Sequence, residues 1–221
     1  MMPPTATYED IKAYQDNVEK NKITPHRLPS CPQCHVESLY FKLHAYRERR
    51  FLVIVEMLIQ SAYCTLVRFK CPGCGKTVTN YPDFAIPYKR YSRQTITGLA
   101  GTYVETDKMT YQDAVMSQDG VPGYARSDCT LAPSTIHRWI SGLSCLVDTC
   151  RTALSLLLQD NPVSSVCRDL AQIIVPFCKY RSETRKNQLL SCRKLMTIAD
   201  FFQDTFNISI FTKLAIACAF T

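Results

Sequence analysis

Glycine is scarce in this sequence, seven in 221 residues, and none is arranged as a phosphate-cradling loop or a dinucleotide fingerprint. Nucleotide-driven and nicotinamide chemistry are therefore not expected. The four histidines join no Ser/His/Asp arrangement. Long hydrophobic runs are missing too: the most apolar stretch, Ile208 to Phe220, is interrupted by Lys213 and is shorter than the roughly 20 residues a membrane helix needs. The opening residues Met1-Met2-Pro3-Pro4-Thr5 lack the basic and apolar regions of an export signal. There is no internal repeat and no low-complexity tract. With 46% hydrophobic and 20% charged residues, the composition is that of an ordinary globular chain. The expectation is a cytoplasmic protein with no membrane partner.

What the sequence has in quantity is cysteine, twelve residues. Without a sign of export, a disulfide framework is not the natural reading. Eight of them, Cys64, Cys129, Cys145, Cys150, Cys167, Cys178, Cys192 and Cys218, are scattered among apolar residues and are expected to pack as small buried hydrophobes. The other four form two Cys-x-x-Cys pairs, Cys31/Cys34 and Cys71/Cys74, separated by 36 residues. Each pair can sit on a tight turn that points both sulfurs inward, and four thiolates close a tetrahedral shell around one structural Zn²⁺. Cys71-Pro72-Gly73-Cys74-Gly75 suits such a turn, because glycine tolerates positive φ. His35 stands where the first turn would have its glycine.

A catalytic alternative uses the same residues. His35-Val36-Glu37 followed by Cys71-Pro72-Gly73-Cys74 superficially matches the zinc-deaminase pattern, with His35, Cys71 and Cys74 as ligands and Glu37 moving protons. Against it, Lys70 replaces the proline expected before Cys71, and Cys31 and Cys34 would have no role. The segment between the pairs also reads as strands, where that pattern needs a helix.

Positive charge is concentrated. Residues 38–93 hold ten Lys or Arg and three acids, so the net charge of +7 resides there. A second concentration, residues 179–194, has six basic residues and Glu183. Clustered cations fit a polyanion partner, since each neutralised phosphate releases counterions. Lys42, Arg47, Arg49, Arg50, Arg68, Lys70, Lys89, Arg90 and Arg93 are the expected phosphate contacts, with 179–194 next in line.

Leu39–Tyr46, Arg50–Val55 and Ala62–Lys70 are rich in aromatic and β-branched residues and read as strands, although Phe51–Ile59 also permits a helix. Pro82 and Pro87 bracket a stiff connector. After it the pattern is helical: Ser92 caps a helix to about Val104, Thr110 caps a second from Tyr111 to Ser117, and a loop covers 118–132. A third helix starts near Pro133–Ser134 and continues to Gln159. Asn161-Pro162 opens a fourth that Pro176 ends, and Ser182 to about Phe206 is the last. In the third helix Ile136, Trp139 and Ile140 face the core, leaving Ser134, Thr135, His137 and Arg138 outward, where hydroxyls and an Arg suit phosphate and base-edge contacts. The long connector before it departs from an ordinary helix-turn-helix, or marks a different three-helix bundle. No run of strands follows residue 92 to carry an acidic triad, and Asp148, Asp160, Asp169, Asp200 and Asp204 read as caps and solvated helix faces, so no enzyme is expected.

The expected architecture is α+β: an N-terminal extension (1–30), a small β-rich four-Cys ribbon (31–80), a linker (81–91), a mainly α-helical helix-turn-helix region (92–159) and C-terminal helices (160–221). The two Cys-x-x-Cys pairs, then Tyr88-Lys89-Arg90-Tyr91-Ser92, then Ser134-Thr135-Ile136-His137-Arg138-Trp139 resemble the amino-terminal region of insertion-sequence transposases. The same order, with Lys179-Tyr180-Arg181-Ser182 through Cys192-Arg193-Lys194-Leu195, is similar to a family of stand-alone zinc-ribbon and helix-turn-helix proteins associated with bacterial mobile elements. The resemblance implies double-stranded DNA as partner and an accessory or regulatory role, with a transposase or a second copy of the chain as further partners. Two other readings stand beside it: a protein–protein adaptor built on a zinc ribbon, and the non-catalytic targeting half of a transposase.

Overall fold

The computed structural model describes residues 8–55, 58–116 and 131–214; Cys129, Cys218 and most of the loop expected at 118–132 lie outside them. The architecture is α+β, and the described residues fall into two compact units. Of the described residues, one takes in 8–53, 60–94 and 208–214, the other 54–55, 58–59, 95–116 and 131–207.

The first unit is built on a three-stranded sheet in the order β1-β2-β3: Lys42–Val55, Leu58–Lys70 and Thr77–Asn80. Strands β2 and β3 are antiparallel, with Lys70 opposite Thr77 and Val67 opposite Asn80. Strand β1 is one continuous element where two were expected, and Ser38–Tyr40 forms a 3₁₀ turn ahead of it. The described part of Phe51–Ile59 is strand and not the helix the sequence also permitted, because β-branched Val53 and Ile54 favour extended backbone and β2 lies beside β1 in the sheet. Val67, Phe69 and Val78 from the sheet meet Val18, Leu28, Phe41, Cys31 and Cys71 in one buried cluster.

Two segments expected at the margins belong to this core. Helix α1 (Tyr8–Glu19) buries Ile11 and Val18, and the Gln15 side chain accepts the Thr65 N–H at 3.0 Å, so the described part of 1–30 is integral and not an appendage. Helix α8 (Ile210–Lys213) buries Ile210 and Phe211 completely, and the Ser209 N–H before it donates to Asp83 at 3.3 Å. Residues 81–91 are likewise no free linker. Tyr81, Phe84, Ala85 and Ile86 are buried, Leu52 N–H donates to Arg90 O at 2.7 Å, and Ser92 N–H donates to Leu52 O at 3.1 Å. The two prolines shape this segment; Phe84, edge-on to Phe51 at 5.4 Å, fixes it to the core.

The second unit is helical: the body of α2 (Arg93–Glu105), α3 (Tyr111–Met116), α4 (Pro133–Ser144), α5 (Val147–Asp160), α6 (Val166–Gln172) and α7 (Glu183–Phe206). Helix α7 is the spine, with Leu189, Cys192, Leu195, Met196, Ala199 and Phe202 buried at helical spacing and α4, α5 and α6 packed on it. Its start is sealed by the Ser182 hydroxyl, which accepts the Arg185 N–H. Thr110 and Asp113 cap α3 reciprocally: Thr110 Oγ1 accepts the Asp113 N–H at 3.1 Å, and Asp113 Oδ2 accepts the Thr110 N–H at 2.8 Å.

The single helix expected from Pro133 to Gln159 is two, bent by 58°. Ser144 Oγ and Cys145 Sγ both donate to the Ser141 carbonyl, and Leu146 leaves helical backbone at ψ 42°. Side chains competing for one carbonyl end the first helix. The helix expected to open at Asn161-Pro162 starts later, at Val166, because Asn161 terminates α5 and its Oδ1 instead accepts the Val163 N–H at 3.2 Å. Among the described residues no single helix is long and apolar enough to cross a membrane.

Candidate metal centre and the adjoining basic cleft

The two cysteine turns are built alike. Cys31 N–H donates to Val36 O and His35 N–H to Cys31 O, both at 2.9 Å; Cys71 N–H donates to Lys76 O at 2.8 Å and Gly75 N–H to Cys71 O at 3.0 Å. Both turns carry a positive φ at the same place, 57° at His35 and 74° at Gly75. Glycine adopts this conformation freely, whereas His35 bears a steric cost that the first turn's two hydrogen bonds must offset. Gly73 has a different reason to be glycine: a Cβ there would stand 3.1 Å from Cys34 Sγ and 3.1 Å from a Val36 methyl. A side chain at that position would press on the sulfur of the other turn.

Together the turns bring the sulfurs of Cys31, Cys34, Cys71 and Cys74 within 4.8 Å of one another. Cys31 Sγ lies 3.4 Å from Cys74 Sγ, and Cys34 Sγ 3.4 Å from Cys71 Sγ. A tetrahedron of Zn–S bonds of about 2.3 Å has edges of about 3.8 Å, so the donor set fits a divalent metal of that size. Cys31 and Cys71 are fully buried, in the core cluster described above.

The charge balance of the four sulfurs favours a cation. Burial opposes ionisation of Cys31, but the N–H groups of Cys34 and Gln33 and the sulfurs of Cys74 and Cys34 outweigh it and bring the thiol down to about 7. At Cys34 the Val36 N–H favours the thiolate, yet the Cys71 sulfur, burial and the other two cysteines push it up to about 12. At Cys74 the Lys76 N–H works in the same direction, and burial with the Cys31 sulfur overrides it, so that thiol is raised. Cys34 and Cys74 thus resist the ionisation that Cys31 permits; a bound cation would favour the thiolate form that a metal ligand requires. Neither His35 nor Glu37 belongs to the cluster, which leaves the deaminase arrangement unassembled.

One prediction follows from the turn geometry. Gly75→Ala meets nothing closer than a Lys70 methylene at 3.6 Å, so its cost is purely conformational, about 1 kcal/mol of metal-loaded stability. His35→Gly should be tolerated. Thermal melting of the two variants beside the parent tests this, and an unchanged Gly75→Ala melting point would contradict the turn assignment.

In the same unit, Arg47, Arg49, Arg50, Arg68 and Arg90 line a cleft of about 630 Å³ with Tyr63, Tyr81, Tyr88, Thr79 and a single carboxylate, Glu48. Arg49 is held in place. Its Nη1 donates to Tyr81 Oη at 2.8 Å, its Nη2 to Lys89 O at 3.1 Å, and its guanidinium lies over the rings of Phe51 and Tyr81. Arg68 Nη2 donates to Thr77 Oγ1 at 2.6 Å. Arg47, Arg50 and Arg90 are exposed, as are Lys42 and Lys70 on the strands, while Lys89 is half-buried. Arg93 does not join this group: half-buried, it lines a separate recess with Asp10, Asp83 and Thr212. The five arginines are legible in the sequence one by one as cations, but nothing there groups the three tyrosines with them, apart from Tyr63 as an aromatic on an alternating strand.

In the helical unit, Ser134, His137 and Arg138 are exposed on α4 and Thr135 is half-buried, opposite the buried Ile136, Trp139, Ile140 and Leu143. Arg138 Nη2 donates to Thr135 Oγ1 at 3.2 Å. His137 sits edge-on to Tyr111, which stacks on Tyr103 of α2, so three helices meet through these rings. Partial desolvation and then the neighbouring Arg185 hold the His137 pKa below its usual value. Four of the six cations in the second basic concentration have partners within the protein. Lys179 is 8% exposed, donates to the Met109 carbonyl and lies over Tyr103; Arg185 donates to Tyr111; Arg193 pairs with Glu105; Lys186 pairs with Glu183. Of the scattered cysteines, Cys64 and Cys192 are buried as expected, whereas Cys145, Cys167 and Cys178 are exposed, Cys178 donating to Asp107 at 2.7 Å.

Fold and site define an α+β chain with a four-cysteine cluster able to hold a metal ion. Residues 31–139, from the first of those cysteines to Trp139, match the model of a domain of unknown function, DUF6431. No curated protein and no solved structure matches the chain.

Proposed function

We propose that this chain is a DNA-binding accessory or regulatory protein of a mobile element, with one structural Zn²⁺ on Cys31, Cys34, Cys71 and Cys74 and no catalysis of its own. The observation that carries it is the pairing, within one unit, of a four-sulfur centre with a cleft lined by five arginines and one carboxylate. A closed four-Cys shell leaves no position for a substrate, so the metal organises the ribbon and the cations do the binding. Phosphates would meet Lys42, Arg47, Arg50 and Arg90, with Arg49 and Arg68 as fixed positive charge behind them. The exposed turn of α4, Ser134 to Arg138, is the part suited to base edges in a major groove, helix-turn-helix fashion. The resemblance to transposase amino-terminal regions supports the mobile-element assignment and a catalytic partner encoded elsewhere.

The adaptor reading has one observation in its favour: Val163, Ile174 and Phe177 stand 90%, 86% and 81% exposed around α6. Apolar side chains so exposed suit a protein partner or a second copy of the chain. A gel shift with mixed-sequence duplex DNA at two salt concentrations separates the readings. The DNA-binding reading expects a shifted band that weakens steeply with salt; no shift at low salt, with the zinc-loaded protein folded, puts the adaptor first.

A further inference from the structure

The recess beside Arg93 lies within the first unit and measures about 560 Å³, in the range of small-molecule sites. Parts of the chain distant in sequence meet there: Asn17 from α1, Asn80 from the end of β3, Gln94 from the start of α2 and Thr212 from α8. Two of its side chains break a rule kept elsewhere in the protein. Thr212 is 4% exposed, yet its Oγ1 has no hydrogen-bond partner among the described residues, and neither has the covered Oε1 of half-buried Gln94. Buried polar atoms are ordinarily paired, because otherwise their desolvation goes uncompensated. Other helical threonines here do pair: Thr102 Oγ1 donates to Gly98 O at 2.9 Å and Thr152 Oγ1 to Asp148 O at 3.0 Å. Both orphaned atoms belong to side chains of the recess wall, so a group brought by a ligand is the partner they lack.

The charges of the lining are balanced and largely engaged. Asp10 and Asp83 stand against Lys22 and Arg93, and Asp10, Asp83 and Arg93 each interact within the protein. No surplus is on offer to an ion, in contrast to the arginine cleft. What the recess offers is hydrogen bonding from the amides of Asn17, Asn80 and Gln94, beside an apolar wall of Ile23, Pro82 and Phe84. A carboxamide holds a donor and an acceptor side by side, which matches the neighbouring amine and ring nitrogen of adenine. An apolar wall suits the flat face of the base, and a buried hydroxyl suits a sugar hydroxyl. We infer that this recess binds an uncharged adenine nucleoside, with the base edge on the Gln94 amide and a ribose hydroxyl on Thr212. None of the five cleft arginines lines it, so the site stands apart from the DNA reading.

The test is calorimetric titration of the full zinc-loaded chain with adenosine, adenosine 5′-monophosphate and ribose, beside thermal melting without ligand. Adenosine should bind saturably, the monophosphate no more tightly, and ribose far more weakly. Thr212→Val puts a methyl where the orphaned hydroxyl stands, so the ligand-free variant should melt no lower than the parent while its adenosine affinity falls at least about threefold. Gln94→Leu, which removes the amide, should lower that affinity by a similar factor or more and keeps the test open if the Thr212 change disturbs α8. No saturable adenosine binding, ribose binding as tight as adenosine, or parental affinity in both variants overturns the inference. Tighter binding of the monophosphate overturns the choice of an uncharged ligand. A ligand-free Thr212→Val variant that melts well below the parent overturns the assignment of its hydroxyl to a ligand.

Discussion

Cys71→Ser is expected to abolish metal binding and unfold the unit that holds the sheet. Cys71 is fully buried, its sulfur is 3.4 Å from that of Cys34, and its N–H and carbonyl close the second turn. Structural zinc in small modules supplies on the order of 10–16 kcal/mol of apparent binding energy, comparable to the roughly 5–15 kcal/mol total stability of a domain. The hydrophobic cluster that shares Cys31 and Cys71 cannot replace that, because its eight buried residues are gathered partly by the cysteine turns themselves. Metal analysis should find about one zinc per parent chain and none in the variant, with loss of strand signal in far-ultraviolet circular dichroism. Since ligand thiols must lose protons, acidification should release the metal, with stability present at neutral pH and lost as pH falls. A metal-free parent that stays folded would refute the structural role.

The second large effect concerns two adjacent residues of α4 with opposite burdens. Trp139 is 4% exposed, on the buried face of α4 with Ile136, Ile140 and Leu143, so Trp139→Ala should cost about 3–5 kcal/mol of stability through the cavity it leaves. Arg138 is exposed and donates to the Thr135 hydroxyl next to it on the same helix, so Arg138→Ala should leave the melting point nearly unchanged. Its effect should fall on DNA: about 1–3 kcal/mol at a preferred site and little on random duplex, if the helix reads a guanine edge. Equal weakening on every duplex would mean that α4 positions the protein without reading sequence. No change on any would remove α4 from the interface.

The four-cysteine cluster was legible because each half of its signal is local: two residues between paired cysteines suit a tight turn that points both sulfurs the same way. Helix starts at Thr110 and Ser182 were legible for the same reason, each being a hydroxyl that accepts the N–H three residues on. What the sequence hid depends on distant partners. Residues 81–91 read as a proline-stiffened linker, yet Phe84 and Ala85 are buried because Leu52 pairs alongside and Phe51 packs against them. The turn at Ser209 to Lys213 looks like the end of the C-terminal helices, but it buries Phe211 in the first unit. Lys179 and Arg185 look like surface charge until Tyr103 and Met109 are seen to receive the first and Tyr111 the second. The break at Cys145 carries no proline, and its cause, two side chains sharing the Ser141 carbonyl, has no sequence signature of its own.

That the exposed cations of the metal-organised ribbon bind the DNA backbone is tested most directly by the slope of log K against log salt for duplex binding. Parent protein should be compared with a variant neutralised at Lys42, Arg47, Arg50 and Arg90, positions whose side chains are exposed, with Arg49 left intact because it braces Tyr81 and Lys89. The parent should lose affinity linearly with log salt. The variant should bind all sequences more weakly, with a slope shallower by about 0.9 for each phosphate contact removed, up to about four. An unchanged slope in a variant that still folds and holds its zinc would contradict the assignment.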